Sequence, residues 1–387
     1  MRGTRKQPSW LLALCFSPHL FSPCISAYNI PRFSPRFSEP RGSLHNSVNS
    51  VGWLQPKSRR RRNKEPSLAD ETKQDGRVEL RLSSSQPESR IAPPCWRSIL
   101  SLPVNVERFV ERAHTRGADA IQLDLEDGVA HSEKDHARKL LPTAVSRVSQ
   151  NGASVIVRIN QPQEMAARDL EAAVLPGVSA ITLPKVENPG SVRAISEAIA
   201  QLESRRNLPQ GNIGLLLLIE TPAAIFRLPE IASADARTVA MKLGSEDFAL
   251  AAGMAPEPDG LLFPSMAVLL AARAAELLPL GFVGSIAEYQ DVEAFRRMVR
   301  RARRLGFRGA TVIHPRLVPV LNEEFLPPAE EIESARRVVD AYERAQASGQ
   351  GAIQVDGKMV DAPVYRRAQH TLAMAETGAT KGGTGPS

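Results

Sequence analysis

The chain has 387 residues and a formal net charge of +7, but its first 90 residues hold 16 Lys and Arg against 7 Asp and Glu. The remaining residues therefore carry a net charge of −2, which argues against a nucleic-acid-binding domain there. The three cysteines, Cys15, Cys24 and Cys95, exclude a disulfide scaffold and fit a reducing compartment, and no apolar run is long enough to span a membrane.

Residues 1–94 are rich in Ser, Pro and Arg and lack sustained periodicity, so we expect a disordered leader. Glu39 is the single acidic residue among the first 64, which suits an organellar transit peptide. A weak secretory signal and an extension without function are the alternatives. We expect a cytoplasmic protein, or an organellar one if the leader is a transit peptide. The Arg59–Arg62 run could bind nucleic acid, although such runs are more often solvated charge.

From Cys95 onwards, apolar strand-like runs alternate with helical segments. The eight runs are 97–103, 120–127, 154–160, 180–187, 213–220, 239–247, 280–283 and 309–314. The clearest predicted helices are Val106–Arg116 with Asn105 as its cap, Glu133–Gln150, Met165–Val174, Gly190–Arg205, Met266–Leu278 and Ala287–Leu305. This alternation predicts a (β/α)8 TIM barrel over residues 95–325. A doubly wound sheet is the alternative, weakened because no glycine-rich phosphate loop follows the first strand.

Residues 326–375 are predicted to form C-terminal helices joined by an arm. Pro327–Gln346 and Val364–Ala375 have helical patterns, and the glycines at 349 and 351 make a flexible joint between them. We call residues 350–363 the lid arm. Because it carries Asp356, Lys358 and Asp361 behind a flexible joint, we expect it to close over a site or reach a neighbouring subunit. Residues 376–387 are predicted to be disordered.

Polar side chains gather after the predicted strands rather than before them, where α/β barrels place their chemistry. They are Asp124, Glu126, Arg158, Lys185, Glu220, Asp247 and His314. Glu220 and Asp247 end neighbouring strands, and two carboxylates without His or Cys suit a hard cation such as Mg²⁺. Glu220 could instead cap the following helix, and Arg158 could pair with Asp124 rather than bind a substrate.

Two of these residues have competing interpretations. Lys185 could form a Schiff base, as a lysine at a barrel strand end can, but a structural or phosphate contact is favoured. His314 could be catalytic, although a histidine before a proline at a strand end is more often structural. In the basic helix Arg296–Arg304, we expect a solvated face.

Nine motifs occur in one order along residues 97–375. They are RSxL at 97–100, GADAIQLDLEDGV at 117–129, VRIN at 157–160, LPKVE at 183–187, IET at 219–221, GSEDFA at 244–249, LGFRG at 305–309, IHP at 313–315 and DGKMVDAP at 356–363. Together they resemble the citrate lyase beta-subunit-like CoA-ester lyases of the HpcH/HpaI aldolase family, within the pyruvate/phosphoenolpyruvate barrel superfamily.

The resemblance implies specific roles at the strand ends. Glu220 and Asp247 match the family's Mg²⁺ ligands, and Arg158 matches the arginine that holds the substrate carboxylate. The family also has an acidic strand end near the metal, which is matched by Asp124, Glu126 and Asp127. These residues would bind the substrate and contact the metal through its waters.

In the lid arm, Asp361 matches an aspartate that reaches in from a partner subunit as acid/base, which implies a homo-oligomer. The implied reaction is Mg²⁺-dependent cleavage or formation of malyl-CoA or citramalyl-CoA, giving acetyl-CoA and a 2-oxo acid (glyoxylate, pyruvate or oxaloacetate). Alternatives are the citryl-thioester lyase subunit of a citrate lyase complex, a malyl-CoA thioesterase, and a non-catalytic nucleic-acid-binding protein.

Overall fold

A computed structural model describes residues 90–161, 163–285 and 290–382, with side chains as far as residue 376. Most of the predicted leader, including the Arg59–Arg62 run, lies outside the described residues, as does the tail from residue 383. Within the described part of the chain, no helix is both long and apolar enough to cross a membrane.

Eight parallel strands form a closed ring. They are β1 Ser98–Pro103, β2 Ala120–Asp124, β3 Ser154–Arg158, β4 Val178–Leu183, β5 Gly214–Ile219, β6 Thr238–Leu243, β7 Leu278–Leu280 and β8 Ala310–Val312, paired in the order β7-β6-β5-β4-β3-β2-β1-β8. The ring closes where Leu280 bridges Gly309 and the Gly281 N–H donates to the Gly309 carbonyl at 2.8 Å. The predicted TIM barrel is confirmed and the doubly wound alternative is wrong.

Twelve α-helices and one hairpin complete the described residues. The helices are α1 Glu107–Ala113, α2 Lys134–Val148, α3 Gln163–Ala173, α4 Pro189–Arg205, α5 Pro222–Ile225, α6 Leu228–Ala232, α7 Ser245–Ala252, α8 Pro258–Ala274, α9 Val292–Leu305, α10 Val318–Glu324, α11 Ala329–Ala347 and α12 Ala362–Gly382; the hairpin strands are β9 Ile353–Val355 and β10 Lys358–Val360.

The strands separate two apolar cores, because successive side chains of a strand point to opposite faces. The outer core, between strands and helices, includes Ile121, Leu123 and Leu217. The inner core fills the barrel with one apolar set from the alternate positions, namely Trp96, Ile99, Ala120, Ile156, Ala180, Leu216, Leu218, Val239, Ala240, Leu278 and Leu280. Strands buried on both faces explain the near-continuous apolar runs of the sequence.

Several predicted boundaries are wrong, each for a local reason. Asn105 does not cap α1, because a turn after β1 lets the Val106 N–H donate to the Pro103 carbonyl and makes Val106 the residue before the helix. The helix α8 starts at Pro258 and includes Pro264, whereas the predicted helix starts at Met266. Burial of Leu261, Pro264 and Val268 on one face offsets the lost hydrogen bond.

Further differences lie near the C-terminus. The strand β7 lies two residues earlier than predicted, and α9 starts at Val292, while residues 286–289 are outside the described part. The helix α12 continues to Gly382, beyond the predicted helical stretch.

The lid arm forms a β-hairpin that contacts α11. Its turn places Asp356 at φ 49° and Gly357 at φ 76°, the two left-handed positions of a type I′ turn. The Arg337 guanidinium of α11 donates to Asp356 at 3.0 Å, and the rings of Tyr342 and Tyr365 stack with their centroids 4.7 Å apart. Asp356 therefore has a structural contact.

A buried ion pair anchors α4 to the start of β5. The Glu203 carboxylate is fully buried and accepts hydrogen bonds from the Arg237 guanidinium at 2.6 and 3.0 Å and from the N–H groups of Gly211 and Ile213. Burial alone would raise the pKa of Glu203, but Arg237 and these N–H groups outweigh it and lower that pKa.

We expect Glu203→Ala to lower the free energy of unfolding by about 3–5 kcal/mol, because it leaves a buried guanidinium unpaired. Urea unfolding measures this, and Glu197→Ala on the exposed face of α4 should stay within about 0.5 kcal/mol of wild type. The Glu203 contribution is present above the ordinary glutamate pKa and is lost as the pH falls through its lowered value. The gap between wild type and Glu203→Ala should therefore narrow in acid; equal stability at neutral pH would contradict this assignment.

Candidate active site

A cavity of about 250 Å³ opens at the carboxyl ends of the barrel strands. Asp127, Arg158, Glu220 and Asp247 line it together, so the structure places four of the predicted site residues around one space. Asp124 and Glu126 lie directly behind this lining, in contact with Arg158. The one-sided distribution of polar residues along the sequence thus corresponds to one end of the barrel.

Glu220 follows β5 and is buried, with only 2% of its surface exposed. Its Oε2 accepts a hydrogen bond of 2.7 Å from the backbone N–H of Lys185. A Cβ atom on Gly244 would lie 2.5 Å from Glu220 Oε1, so only glycine leaves room for this carboxylate. Burial, followed by the nearby Glu126 carboxylate, raises the pKa of Glu220 to about 7.

The strand β6 ends at Leu243, Gly244 connects it to α7, and α7 begins at Ser245. Asp247 therefore lies in the first turn of α7, beside Glu220. Its neighbour Glu246 accepts a hydrogen bond of 2.6 Å from the Ser285 hydroxyl. The Glu246 carboxylate is thus engaged at the rim, while Asp247 contributes an acceptor to the cavity.

Arg158, at the end of β3, is held by two carboxylates. Its Nε and Nη2 donate to the two Asp124 oxygens at 2.7 and 2.6 Å, and its Nη1 lies 2.9 Å from Glu126 Oε2. These contacts involve three of its five N–H groups, and two remain for a ligand. The predicted Arg158–Asp124 pairing therefore exists without excluding the predicted substrate contact.

Asp124 is saturated by four donors. Besides Arg158, it accepts from the backbone N–H groups of Glu126 and Gly128, each at 2.9 Å. A Cβ atom on Gly128 would lie 2.5 Å from Asp124 Oδ2, so glycine permits this close approach. Burial alone would raise the pKa of Asp124, but Arg158 and the N–H groups outweigh it and lower that pKa. Asp124 therefore positions Arg158, and direct substrate binding by Asp124 stays a prediction.

Lys185 connects the acidic groups of neighbouring strands. Its Nζ donates to Glu126 Oε1 at 3.0 Å, and its backbone adopts φ 51°, which is uncommon for a residue other than glycine. That conformation directs the Lys185 N–H to Glu220. The structural contact favoured over a Schiff base is therefore the one present.

Three groups that support the strand-end residues were not predicted from the sequence. Lys134 Nζ donates to the backbone carbonyls of Leu125 and Glu126 at 2.7 and 2.5 Å. Asn160 and Asp169 form a buried pair, in which both the backbone N–H and the side-chain amide of Asn160 donate to Asp169 Oδ2 at 2.7 Å. Both arrangements fix the loops after β2 and β3. In the sequence, these groups are marked only by a charged residue that interrupts the apolar face of a helix.

A polar layer inside the barrel was also missed. Thr182 donates to Gln122 Oε1 at 2.7 Å, Gln122 Nε2 donates to Ser101 at 2.9 Å, and Lys242 Nζ donates to Thr311 Oγ1 at 2.9 Å. Ser101, Gln122, Lys242 and Thr311 line the cavity. Its floor is therefore polar, although each of these residues lies in an apolar stretch of sequence.

Two predicted site residues lie elsewhere. Asp361 is absent from the cavity lining and accepts a hydrogen bond of 3.2 Å from the Val364 N–H at the start of α12. Farther along α12, His370 and Met374 contact Arg308, which precedes β8 at the opposite end of the barrel. His314 accepts a hydrogen bond of 3.3 Å from the Arg316 N–H and lines a cleft next to the cavity, so its structural role stays a prediction.

The residues fit a Mg²⁺ ion that is completed by water and substrate. Among the residues the structure describes, no group of three His, Cys, Asp or Glu side chains forms a ready-made metal site. Mg²⁺ is usually bound by one or two carboxylates and keeps several waters. Glu220 and Asp247 supply two carboxylates on one cavity, and burial, followed by the neighbouring Glu126 carboxylate, raises the pKa of Glu220.

The sequence profile of the family described as HpcH/HpaI aldolase/citrate lyase matches residues 97–315. The chain belongs to this family. It is 36% identical over 283 residues to the citrate lyase subunit beta of Escherichia coli, covering 72% of this chain and 93% of that protein. It is 37% identical over 284 residues to a (3S)-malyl-CoA thioesterase of Cereibacter sphaeroides, covering 73% and 95%.

Solved structures agree with this membership. CitE of Mycobacterium tuberculosis, in complex with magnesium, acetoacetate and coenzyme A, has a TM-score of 0.57 and 30% identity, covering 74% of this chain and 98% of that one. A citrate lyase of Burkholderia xenovorans has a TM-score of 0.65 at 21% identity, covering 76% of this chain and 94% of that one, and supports the fold alone. The family member described here is an enzyme of the CoA-ester lyase or hydrolase type.

We expect Glu220→Gln to weaken Mg²⁺ binding at least about tenfold, because the substitution removes one of two carboxylate ligands. Water-proton relaxation with Mn²⁺ as a paramagnetic substitute measures the affinity directly. Glu246→Gln is the matched control and should change the affinity less than about twofold, since the Glu246 carboxylate is bonded to Ser285. Equal affinities for wild type and Glu220→Gln would remove Glu220 from the metal site.

Proposed function

We propose that the chain is a Mg²⁺-dependent carbon–carbon lyase. It cleaves or forms a 3-hydroxyacyl-CoA thioester such as malyl-CoA or citramalyl-CoA, giving acetyl-CoA and a 2-oxo acid. The observation that carries this proposal is the shared cavity lined by Arg158, Glu220 and Asp247. The CitE complexes with magnesium and either acetoacetate and coenzyme A or pyruvate support it.

Each cavity residue has a defined part in this reaction. Glu220 and Asp247 would hold Mg²⁺, and the bound ion would act as a Lewis acid on the oxygen that becomes the keto group. The two free N–H groups of Arg158 bind the carboxylate next to that carbon and fix its orientation. Lys185 keeps Glu220 in place through its backbone N–H.

We assign the CoA part to a cleft of about 550 Å³ that adjoins the cavity. The two spaces share Ser101, Asp127, Arg158 and Ile313, so a thioester could pass from one to the other. Three arginines of the first helical segment line the cleft, namely Arg108, Arg112 and Arg116. Guanidinium groups at such a position suit the phosphates of CoA.

Acid/base catalysis at the acetyl carbon is assigned to Asp361 of a partner subunit in a homo-oligomer. In synthesis this carboxylate takes a proton from the acetyl methyl group, and in cleavage the carboxyl group returns a proton to the acetyl-CoA enolate while the proton of the substrate hydroxyl is released to solvent. Its place outside the cavity of its own chain supports action between subunits. Exposed apolar side chains on the helices α5, α7 and α8 support an interface; they are Phe226, Leu250, Phe263 and Leu270.

A malyl-CoA thioesterase is a second candidate, favoured by the 37% identity to a protein of that name. The two reactions differ in the bond broken, since the lyase breaks a carbon–carbon bond and the thioesterase breaks the thioester with water. A citryl-thioester lyase subunit is the third candidate, favoured by the similarity to citrate lyase subunit beta.

We expect acetyl-CoA release from malyl-CoA, citramalyl-CoA or citryl-CoA in the presence of Mg²⁺ and none with EDTA. Chromatography of the CoA products measures this, and a thiol reagent detects free CoA. Release of free CoA without acetyl-CoA would contradict the lyase proposal and identify the chain as a thioesterase. Metal-dependent turnover of a thioester on an acyl carrier protein, with no turnover of the CoA esters, would identify the citrate lyase subunit.

We expect Asp361→Asn to lower kcat by about 10²–10⁴-fold with little change in KM, because it removes an acid/base group without disturbing the metal site. Asp356→Asn is the matched control in the same lid arm; it keeps the turn conformation, which Asn tolerates, and should remain active.

Mixing Asp361→Asn with Glu220→Gln after subunit exchange should restore part of the activity, because some sites then combine an intact metal site with an intact lid arm. No recovery in exchanged oligomers would place Asp361 and Glu220 of one chain in the same active site.

A further inference from the structure

Lys242 is a buried cation of the cavity lining to which the proposed reaction gives no part. It lies on β6, points into the barrel and is 9% exposed, and it lines the cavity that holds Glu220 and Asp247. Its Nζ donates to the Thr311 hydroxyl at 2.9 Å. An ammonium group has three donors, so two further donors face a buried polar space.

Lys242 differs from Arg158 in how its charge is balanced. Arg158 contacts both Asp124 and Glu126, whereas the ion pairs found among the described residues include none with Lys242. The carboxylates of Glu220, Asp124 and Glu126 act on Lys242 from beyond ion-pair distance, so an anion in direct contact would further stabilise this buried charge. Burial, together with the nearby Arg158, lowers the pKa of Lys242 to about 8, which leaves the amine mostly charged at neutral pH.

The strand register gives the depth of Lys242. It pairs with Leu218, two residues before Glu220 on the neighbouring strand, which corresponds to roughly 6–7 Å along β5. The metal ligands therefore lie at the rim and Lys242 lies at the deep end. Thr311 and Gln122 complete the same end, and Gln122 already has partners for its oxygen and its amide.

A 2-oxo acid places its groups at these two levels. Its carboxylate and keto oxygens reach Arg158 and the metal ligands at the rim, and its carbonyl carbon faces the acetyl group arriving from the mouth. The substituent on that carbon is the part that can point to the deep end. A carboxylate one carbon further along this substituent is the group that an ammonium at the deep end can bind through a charge-assisted hydrogen bond.

We propose that Lys242 is a specificity-determining residue that binds a second carboxylate, carried by the substituent of the 2-oxo acid. The enzyme then prefers a dicarboxylic 2-oxo acid to a monocarboxylic one. This inference rests on the proposed function, because it uses the same cavity and the same orientation of the substrate. Among the thioesters named above it favours a citryl-type ester, which gives a dicarboxylic 2-oxo acid, over malyl-CoA and citramalyl-CoA, which give monocarboxylic ones.

The test compares binding of oxaloacetate and pyruvate, each with Mg²⁺, by titration calorimetry in the cold with freshly dissolved oxaloacetate. Wild type should bind oxaloacetate at least about tenfold more tightly than pyruvate, the advantage of a charge-assisted hydrogen bond. Lys242→Met, which keeps the chain length without the charge, should lose this advantage and bind pyruvate within about twofold of wild type.

Control measurements separate the possible failures. Lys242→Gln, which retains one donor, should keep an intermediate preference and serves as the second variant if Lys242→Met does not fold. Equal loss of both ligands in the variants, or no loss of either, would overturn the role of Lys242. So would a covalent adduct on Lys242 after borohydride treatment with pyruvate. If wild type binds neither 2-oxo acid, the proposed function itself fails, whereas tight binding without preference refutes only the specificity proposal.

Discussion

A continuous series of charged contacts joins four neighbouring strand ends, and the arrangement of the site depends on it. The Asp124 carboxylate, at the end of β2, forms an ion pair with Arg158 at the end of β3. Arg158 also contacts Glu126. Glu126 accepts from Lys185 after β4, whose backbone N–H holds Glu220 after β5. Because each contact fixes the next, the position of the metal-binding carboxylate depends on an ion pair two strands away. Loss of one contact should therefore loosen the others.

The charges around this series do not balance, because carboxyl groups outnumber cationic groups. Four cationic groups lie near six carboxyl groups. The cations are Lys134, Arg158, Lys185 and Lys242, and the carboxyl groups belong to Asp124, Glu126, Asp127, Glu220, Glu246 and Asp247. Arg158 neutralises Asp124, whereas burial leaves Glu126 and Glu220 with raised pKa values. A divalent cation at Glu220 and Asp247 would offset the excess negative charge and keep both carboxylates ionised.

Sequence reasoning predicted the barrel and the strand-end residues because both follow from simple patterns. Buried parallel strands give unbroken apolar runs, and the residue after each run lies at the functional end of the barrel. Glu220, Asp247 and Arg158 could be found in this way. Their proximity is confirmed by the cavity they share, whereas their roles in the reaction stay predictions.

The contacts that arrange these residues could not be predicted in the same way. The left-handed backbone of Lys185 follows a strand whose sequence favours extended conformation, so only the tertiary contact with Glu220 explains it. Lys242 and Gln122 lie inside apolar runs, and their direction depends on the inward or outward phase of each strand. A single sequence fixes that phase only when the barrel register is known. The missed residues are therefore those whose partners lie on distant strands.

The two cations of the cavity illustrate how one fold can separate orientation from selectivity. Arg158 is held by two carboxylates, so its remaining donors have a fixed direction and suit the group common to all 2-oxo acids. Lys242 has a flexible stem and a single hydroxyl partner, so its charge can follow an anion at the deep end. A substitution at position 242 can change the preferred substrate while the metal site and the Arg158 contacts remain intact. In the proposed reaction, substitutions in the polar layer, rather than at the strand ends, would therefore change the preferred 2-oxo acid.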